Sequence, residues 1–416
     1  MSKRSLVTLT ASEQSTLHAC AWKHDLKYER CLEPAGGVSE LGPLNTGTLI
    51  HHGIAEVYKT MQRMQLVGLR PTKYQLHEVV RAALRKKCEK AQGHSSLFEG
   101  GDADDYRESQ REDEETAARC LDLFVEHIAL PRYDRYAVLG VEVPFIVPIL
   151  TRAGRRDGDL LEGVMDVVFY DRLAKGILHG EHKSTAGDAS TYDLQHALSH
   201  QSPLYVYALK TMFGDLALNA YVLNVLRKST PKSPSINKDG SVSVGKVDTT
   251  KEIYAAALDD QGEPDWLVKA REAVETDDPK EMGKAQVALQ KQLDRWDKRR
   301  RDQQDRYVSL PTIDRYVCQH EETISHEHVR RAQSDAWSSA RLIRMFRRGA
   351  LTPWRNGGAC QSYGRLCAYY SACEAGVREE GELLTRRDAR HPEVVEAREE
   401  GSQDMLRVME QMGILR

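Results

Sequence analysis

Residues 163–205 read GVMDVVFYDRLAKGILHGEHKSTAGDASTYDLQHALSHQSPLY. Two apolar, β-rich runs, Leu160–Tyr170 and Gly176–Ser184, are joined by the short turn DRLAKG, a pattern that predicts a hairpin. Asp166 alternates with Val164 and Val168 and is expected on their sheet face. Glu181 and Lys183 are two residues apart and share a face as well. Two acids and a lysine thus converge on adjacent strands in apolar surroundings, which is costly unless something pairs them. Two carboxylates and the carbonyl between Glu181 and Lys183 are hard oxygen ligands suited to Mg²⁺ or Mn²⁺. The alternative is a buried ion-pair cluster that fixes strand register. Leu194, Leu198, Gln201, Tyr205 and Ala208 then fall on one stripe of a helix expected over Ala189–Phe213. Gln201 is a polar residue on its core side and needs partners.

These residues resemble the PD-(D/E)xK nuclease superfamily, and within it the RecB-like exonuclease branch. That branch carries G-x-x-D, (D/E)-x-K and Q-x-x-x-Y, matched in order by Gly163–Asp166, Glu181–Lys183 and Gln201–Tyr205; Met165 stands where proline often precedes the aspartate. Gly47-Thr-Leu-Ile-His51 matches the branch's G-x-x-x-H. The resemblance implies an α/β fold with a mixed central sheet and metal-dependent hydrolysis of DNA phosphodiesters. It implies metal ligation by Asp166, Glu181 and His51, with Lys183 orienting or helping to deprotonate water. Gln201 and Tyr205 would position Lys183 and the DNA strand.

The chain has 416 residues and a formal net charge of −3. No run approaches the ~20 apolar residues of a membrane span, and MSKRSLVTLTASEQS lacks an apolar signal core, so a cytoplasmic protein is expected. The charge balance argues against a uniformly basic coat and leaves DNA binding to a local groove. No G-x4-G-K-[ST] motif occurs, so unwinding would come from a helicase or recombination partner.

Around the hairpin the pattern divides into five regions. Residues 1–132 are helical and carry Cys20 and His51. Thr10-Ala-Ser-Glu13 is a capping box, and the acidic stretch Glu99–Glu115 reads as a loop between helices. Residues 133–228 form the nuclease core, with Glu142 interrupting its first strand as either a further metal-shell acid or an edge charge. Residues 229–263 are a loop insertion with a turn at Asp239-Gly240. Residues 264–380 are helical and include two basic runs, RWDKRRRDQQDR at 295–306 and RLIRMFRR at 341–348. These suit phosphate contact or form solvated faces. Residues 381–416 are a charged helical tail with an apolar end.

Eight cysteines occur. Cys360, Cys367 and Cys373 crowd one Gly- and Tyr-containing stretch and need a fourth ligand, for which Cys20 and Cys31 compete. In iron–sulfur members of the resembled branch, one N-terminal cysteine joins three near the C-terminus around a [4Fe–4S] cluster. The C-x5-C spacing of Cys367 and Cys373 matches that pattern, while the gap from Cys360 to Cys367 is longer than the usual C-x2-C. Thiolates also suit structural Zn²⁺. Cys88 and Cys120 read as packing residues. The implied activity is that of the exonucleases of CRISPR adaptation, AddB-type recombination machines and phage recombination. Its rivals are an endonuclease of the same fold and a non-catalytic, cluster-stabilised DNA-binding subunit.

Overall fold

The computed structural model describes residues 6–35, 46–92, 102–192, 199–238, 240–261, 265–275, 278–362, 365–399 and 404–415. Strand β1 (Thr8–Leu9) leads to Thr10, whose Oγ1 accepts the Glu13 amide at 3.1 Å and caps α1 (Ala11–Ala19). The return bond of the capping box is absent, because the Glu13 carboxylate pairs with His24, Arg390 and His391 instead. Cys20 is extended (φ −160°, ψ 110°) and separates α1 from α2 (Ala21–His24). After β2 (Leu32–Pro34) come three long helices, α3 (Thr46–Leu66), α4 (Lys73–Gln92) and α5 (Asp102–Phe124). Most of the acidic stretch expected as a loop is therefore the start of α5.

The sheet strands β3 (Tyr136–Leu150), β4 (Arg156–Asp171) and β5 (Gly176–Thr185) follow, then α6 (Gln201–Phe213) and β6 (Ala217–Arg227). The expected hairpin is present: β4 and β5 pair antiparallel from Asp171↔Gly176, and Asp171 Oδ1 accepts the Leu173 and Ala174 amides across the turn. Helix α6 is shorter than the periodicity predicts. It starts at Gln201 with Pro203 in its first turn, where a missing N–H does no harm; inside a longer helix that proline would break the ladder. Ala189–Thr191 form a separate 3₁₀ turn, and residues 193–198, with Leu194 and Leu198, lie outside the described residues.

Between β6 and the next sheet strand, an excursion carries α7 (Lys251–Asp259), α8 (Asp265–Glu272) and α9 (Pro279–Ser309). Its hairpin pairs Ile236 with Val242, and Asp239 lies outside the described residues. The chain then returns as β7 (Val317–Thr323) and α10 (His326–Arg347). Short strands β8 (Gln361–Ser362) and β9 (Arg365–Leu366), α11 (Tyr370–Ala375), β10 (Leu384–Arg386), α12 (Pro392–Glu399) and α13 (Met405–Gln411) complete it.

The mixed six-stranded sheet is built on β4. β3 pairs antiparallel along one edge of β4. The other edge is shared: β5 takes its C-terminal part and β1 runs parallel to it at Thr8↔Leu160. β6 lies parallel to β5 through the α6 crossover, and β7 is antiparallel to β6. Helices α3–α5 bury one face with Val167, Phe169, Leu178 and Val222. Helices α1, α6, α10 and α13 bury the other with Val168, Met165, Leu204, Ala336 and Met409.

The expected α/β core with helical flanks is thus present, but the expected boundaries are not divisions of the fold. β1 and β7 lie outside 133–228 yet complete the sheet. Within the tail expected as helical, β10 pairs with β2, and α13 packs on the core. The basic run at 341–348 is partly internal: Arg344 pairs with buried Asp159, and Arg347 with Glu29. Among the described residues no helix is long and apolar enough to cross a membrane.

Candidate active site

The site occupies a fork in the sheet. Pairing of β4 with β5 ends at Val167↔Gly180, whereas β5 stays paired to β6 through Glu181↔Leu223 and Lys183↔Val225. Where the strands part, the His182 amide donates to Asp166 Oδ2 at 2.8 Å instead of to a backbone carbonyl. Asp166 is also where the inward face of β4 changes over. Val167 packs with α3 and α5 but Met165 packs with α6, and the same change separates Val141 from Val143 on β3. Strict alternation would keep residues two apart on one side, so the expectation that Asp166 simply shares a face with Val164 and Val168 fails here. Opposite Asp166 in the register stands half-buried Glu142 with φ 52°, a left-handed backbone that a non-glycine residue adopts at a cost of about 1–3 kcal/mol.

Glu181, Lys183 and Gln201 form a closed set. Lys183 Nζ donates to Glu181 Oε1 and, at 3.4 Å, to Gln201 Oε1; Gln201 Nε2 donates to Glu181 Oε1 at 2.8 Å. Glu181 is only 1% exposed, and its Oε2 has no hydrogen-bond partner among the described residues. Burial, then the charge of Asp166, pushes the Glu181 carboxyl up to about 7. Burial raises Asp166 too, against the pull of Lys183 and the His182 amide. Burial opposes the charge on Lys183, but Glu181 outweighs it and the ammonium is held above its ordinary range. Burial and then Lys183 lower His51, keeping its imidazole neutral, as a metal ligand requires. Two repelling buried carboxylates, one with an unsatisfied oxygen, and a neutral imidazole nearby are donor types that suit a hard divalent cation.

A family model for the PD-(D/E)XK nuclease superfamily matches residues 8–374. The chain belongs to the PD-(D/E)XK nuclease superfamily. No curated protein matches it. In this nuclease Tyr205 is buried beneath the site, with its ring 5.3 Å from Phe145 and 5.5 Å from His179. Its hydroxyl hydrogen-bonds the Gln201 side chain. On the other sheet face, the buried His182 ring stacks on Tyr58 at 5.5 Å, with Nδ1 3.1 Å from Asn224 Nδ2. Gln319 Nε2 in turn donates to Asn224 Oδ1 at 2.8 Å. This polar layer holds β5 from behind, and Asn224 inside the apolar run of β6 is the sequence signal for it.

Cys20, Cys360, Cys367 and Cys373 line one cavity with Trp22, Tyr369 and Tyr370. All are free thiols. Burial raises the Cys373 thiol, Arg355 opposes this, and the other three thiols push it further up. Arg355 and Arg378 stack on Trp22 at 4.4 and 4.0 Å, placing positive charge beside the cavity. Four converging thiols beside guanidinium groups fit an anionic metal–thiolate centre. Cys31 does not join them; its Sγ meets the Tyr28 carbonyl at 3.7 Å. The break between α1 and α2, absent from the periodicity, is what aims Cys20 at this cavity. Cys88 and Cys120 are buried in the core under α3–α5.

Among the described residues the group with metal-like spacing is a different one, Glu13, His24 and Glu29; neither Asp166, Glu181 and His51 nor the four thiols lie that close together. Arg390 already pairs with both Glu13 and Glu29, so a guanidinium fills the cation's place. His391 lies between Glu13 (2.7 Å) and Glu162 (2.6 Å) and ties the C-terminal segment to α1 and β4.

Proposed function

We propose that this nuclease is a DNA exonuclease of the RecB-like branch, acting in DNA recombination, repair or phage DNA processing beside a helicase or recombination protein. The reading rests on the meeting of Asp166, Glu181, Lys183 and Gln201 at the sheet fork, with Glu181 Oε2 left unsatisfied. Asp166, Glu181 and His51 would hold Mg²⁺ or Mn²⁺. The ion, when bound, supplies Lewis acidity toward the attacked phosphate and offsets charge developing there. Lys183, kept charged by Glu181, orients the attacking water and faces the phosphate as an ammonium. Gln201 fixes the relative positions of the Lys183 and Glu181 side chains by donating to one and accepting from the other. Tyr205 holds Gln201 in place.

The four cysteines would hold a [4Fe–4S] cluster with a structural role, joining α1 to the segment after α10; Zn²⁺ is the alternative occupant. Incubation with linear and covalently closed circular duplexes tests the exonuclease reading. Degradation confined to linear DNA is expected. Cleavage of the closed circle would make the enzyme an endonuclease.

A further inference from the structure

The excursion between β6 and β7 is rooted beside the active site. β6 ends at Arg227, in register with Thr185, two residues beyond Lys183. The Lys228 amide donates to Thr185 O at 2.7 Å, and at the returning root Arg315 pairs with Asp188 at 3.7 Å. Helix α9 is hydrogen-bonded to the excursion in its C-terminal half. There Gln303, the one buried residue of its 31, donates to Val242 O and Gln261 Oε1, both at 2.9 Å, and Arg306 donates to Val247 O at 3.1 Å. The rest of α9 packs one half-buried stripe, including Met282, Leu289 and Trp296, toward α8, with Trp296 edge-on to Trp266 at 6.0 Å.

The opposite side of α9 is cationic. Lys280, Lys284, Lys291, Arg295 and Lys298 recur at spacings of 4, 7, 4 and 3 residues, which places all five on one face. All are exposed, and among the described residues none forms an ion pair. Asp297 lies off this stripe, Asp294 flanks it and accepts from Gln290 at 2.9 Å, and Asp302 follows it one turn beyond Lys298. The helix carries nine Lys or Arg against five Asp or Glu, in a chain of net charge −3. From Lys280 to Lys298 the stripe spans about 27 Å at 1.5 Å per residue. At about 3.4 Å per nucleotide of one strand, that matches roughly eight phosphates.

We propose that α9 is a DNA-tracking arm, whose cationic stripe holds the phosphate backbone of substrate beyond the segment in the active site. The proposal rests on the nuclease reading above and assigns the long excursion a purpose that the catalytic set does not need. Lysines and an arginine on a rigid helix neutralise phosphates without reading bases, so the arm adds affinity and not sequence preference.

Fluorescence anisotropy with full-length Asp166→Ala protein, on 10-bp and 30-bp duplexes over a salt series, tests it. Substituting Lys284, Lys291, Arg295 and Lys298 together by glutamine keeps helix propensity. It is expected to lower the salt slope on the 30-bp duplex by about 3 to 4, from ~0.9 per lost phosphate contact. Binding to the 10-bp duplex should be the same in both proteins. Single substitutions, each expected to lower the slope by about 1, give the same reading should the combined variant unfold. An unchanged 30-bp slope would overturn the arm alone. No binding of either duplex by the parent protein would overturn the arm and the nuclease reading together.

Discussion

Gln201 Nε2 donates to Glu181 Oε1 at 2.8 Å while its own Oε1 accepts from Lys183 at 3.4 Å. One amide thus spans both halves of the Glu-x-Lys motif from the first turn of α6. Gln201→Ala removes that bridge but leaves a half-buried helix start that water can reach. The expected result is a fall in single-turnover cleavage of at least tenfold with a loss of stability below about 3 kcal/mol, the net worth of two hydrogen bonds at about 0.5–1.5 kcal/mol each. Denaturant melts and single-turnover rates on the same preparation decide it. Unchanged turnover per folded molecule with a large stability loss would make Gln201 an ordinary packing residue.

Metal uptake should release a proton. The Glu181 carboxyl sits at about 7 without a cation, so at pH 6 it is mostly protonated and ligation displaces that proton. At pH 8.5 it is already ionised. Titration calorimetry with Mn²⁺ in buffers of different ionisation heat should therefore show release near one proton at pH 6 and almost none at pH 8.5. Buffer-independent heats at pH 6 would contradict the assignment.

The meeting of Asp166, Glu181, Lys183 and Gln201 was legible in the sequence, because charges in apolar strands stand out, and so were the hairpin and the mixed sheet. The changeover at Asp166 was not. It depends on a left-handed backbone at Glu142, which a glutamate does not advertise. Nor was the inward turn of Cys20, since the break between α1 and α2 interrupts an otherwise continuous pattern. The run holding Arg344 read as a phosphate contact or a solvated face because the partner of Arg344, Asp159, lies 185 residues away in the chain. Pro203 was the overlooked signal for the start of α6.

The ion network around His391 should make stability pH-dependent. Burial opposes charge on His391, but Glu13 and Glu162 raise it above its ordinary 6.5. Burial alone would raise Glu13, but His24, His391 and Arg390 hold it far below 4.5. A raised imidazole stabilises fully below 6.5 and loses that contribution as pH rises through its folded value; a lowered carboxylate contributes above 4.5 and loses it as pH falls. The stability gap between wild type and His391→Gln is thus expected to be widest between pH 4.5 and 6.5 and to shrink toward pH 9. Thermal melts across that range measure it, and a pH-independent gap would refute the charged imidazole.

Anaerobically purified protein should be brown, with about four iron and four sulfide per chain. Cys20→Ser, Cys360→Ser, Cys367→Ser and Cys373→Ser should each bleach it and lower the melting temperature, while Cys31→Ser, Cys88→Ser and Cys120→Ser keep the colour. A colourless preparation with one zinc and no iron would replace the cluster with a structural zinc site.

The most direct test of the account is cleavage of end-labelled linear DNA, single- and double-stranded, with Mg²⁺, Mn²⁺ or EDTA. The wild type should shorten the labelled strand only with metal, and folded Asp166→Ala, Glu181→Ala and Lys183→Ala should each lose cleavage by a factor of at least 10³, about 4 kcal/mol of barrier. Wild-type cleavage by a cleanly folded Lys183→Ala protein, or undiminished cleavage in EDTA, would contradict the assignment of the fork as a metal-dependent nuclease site.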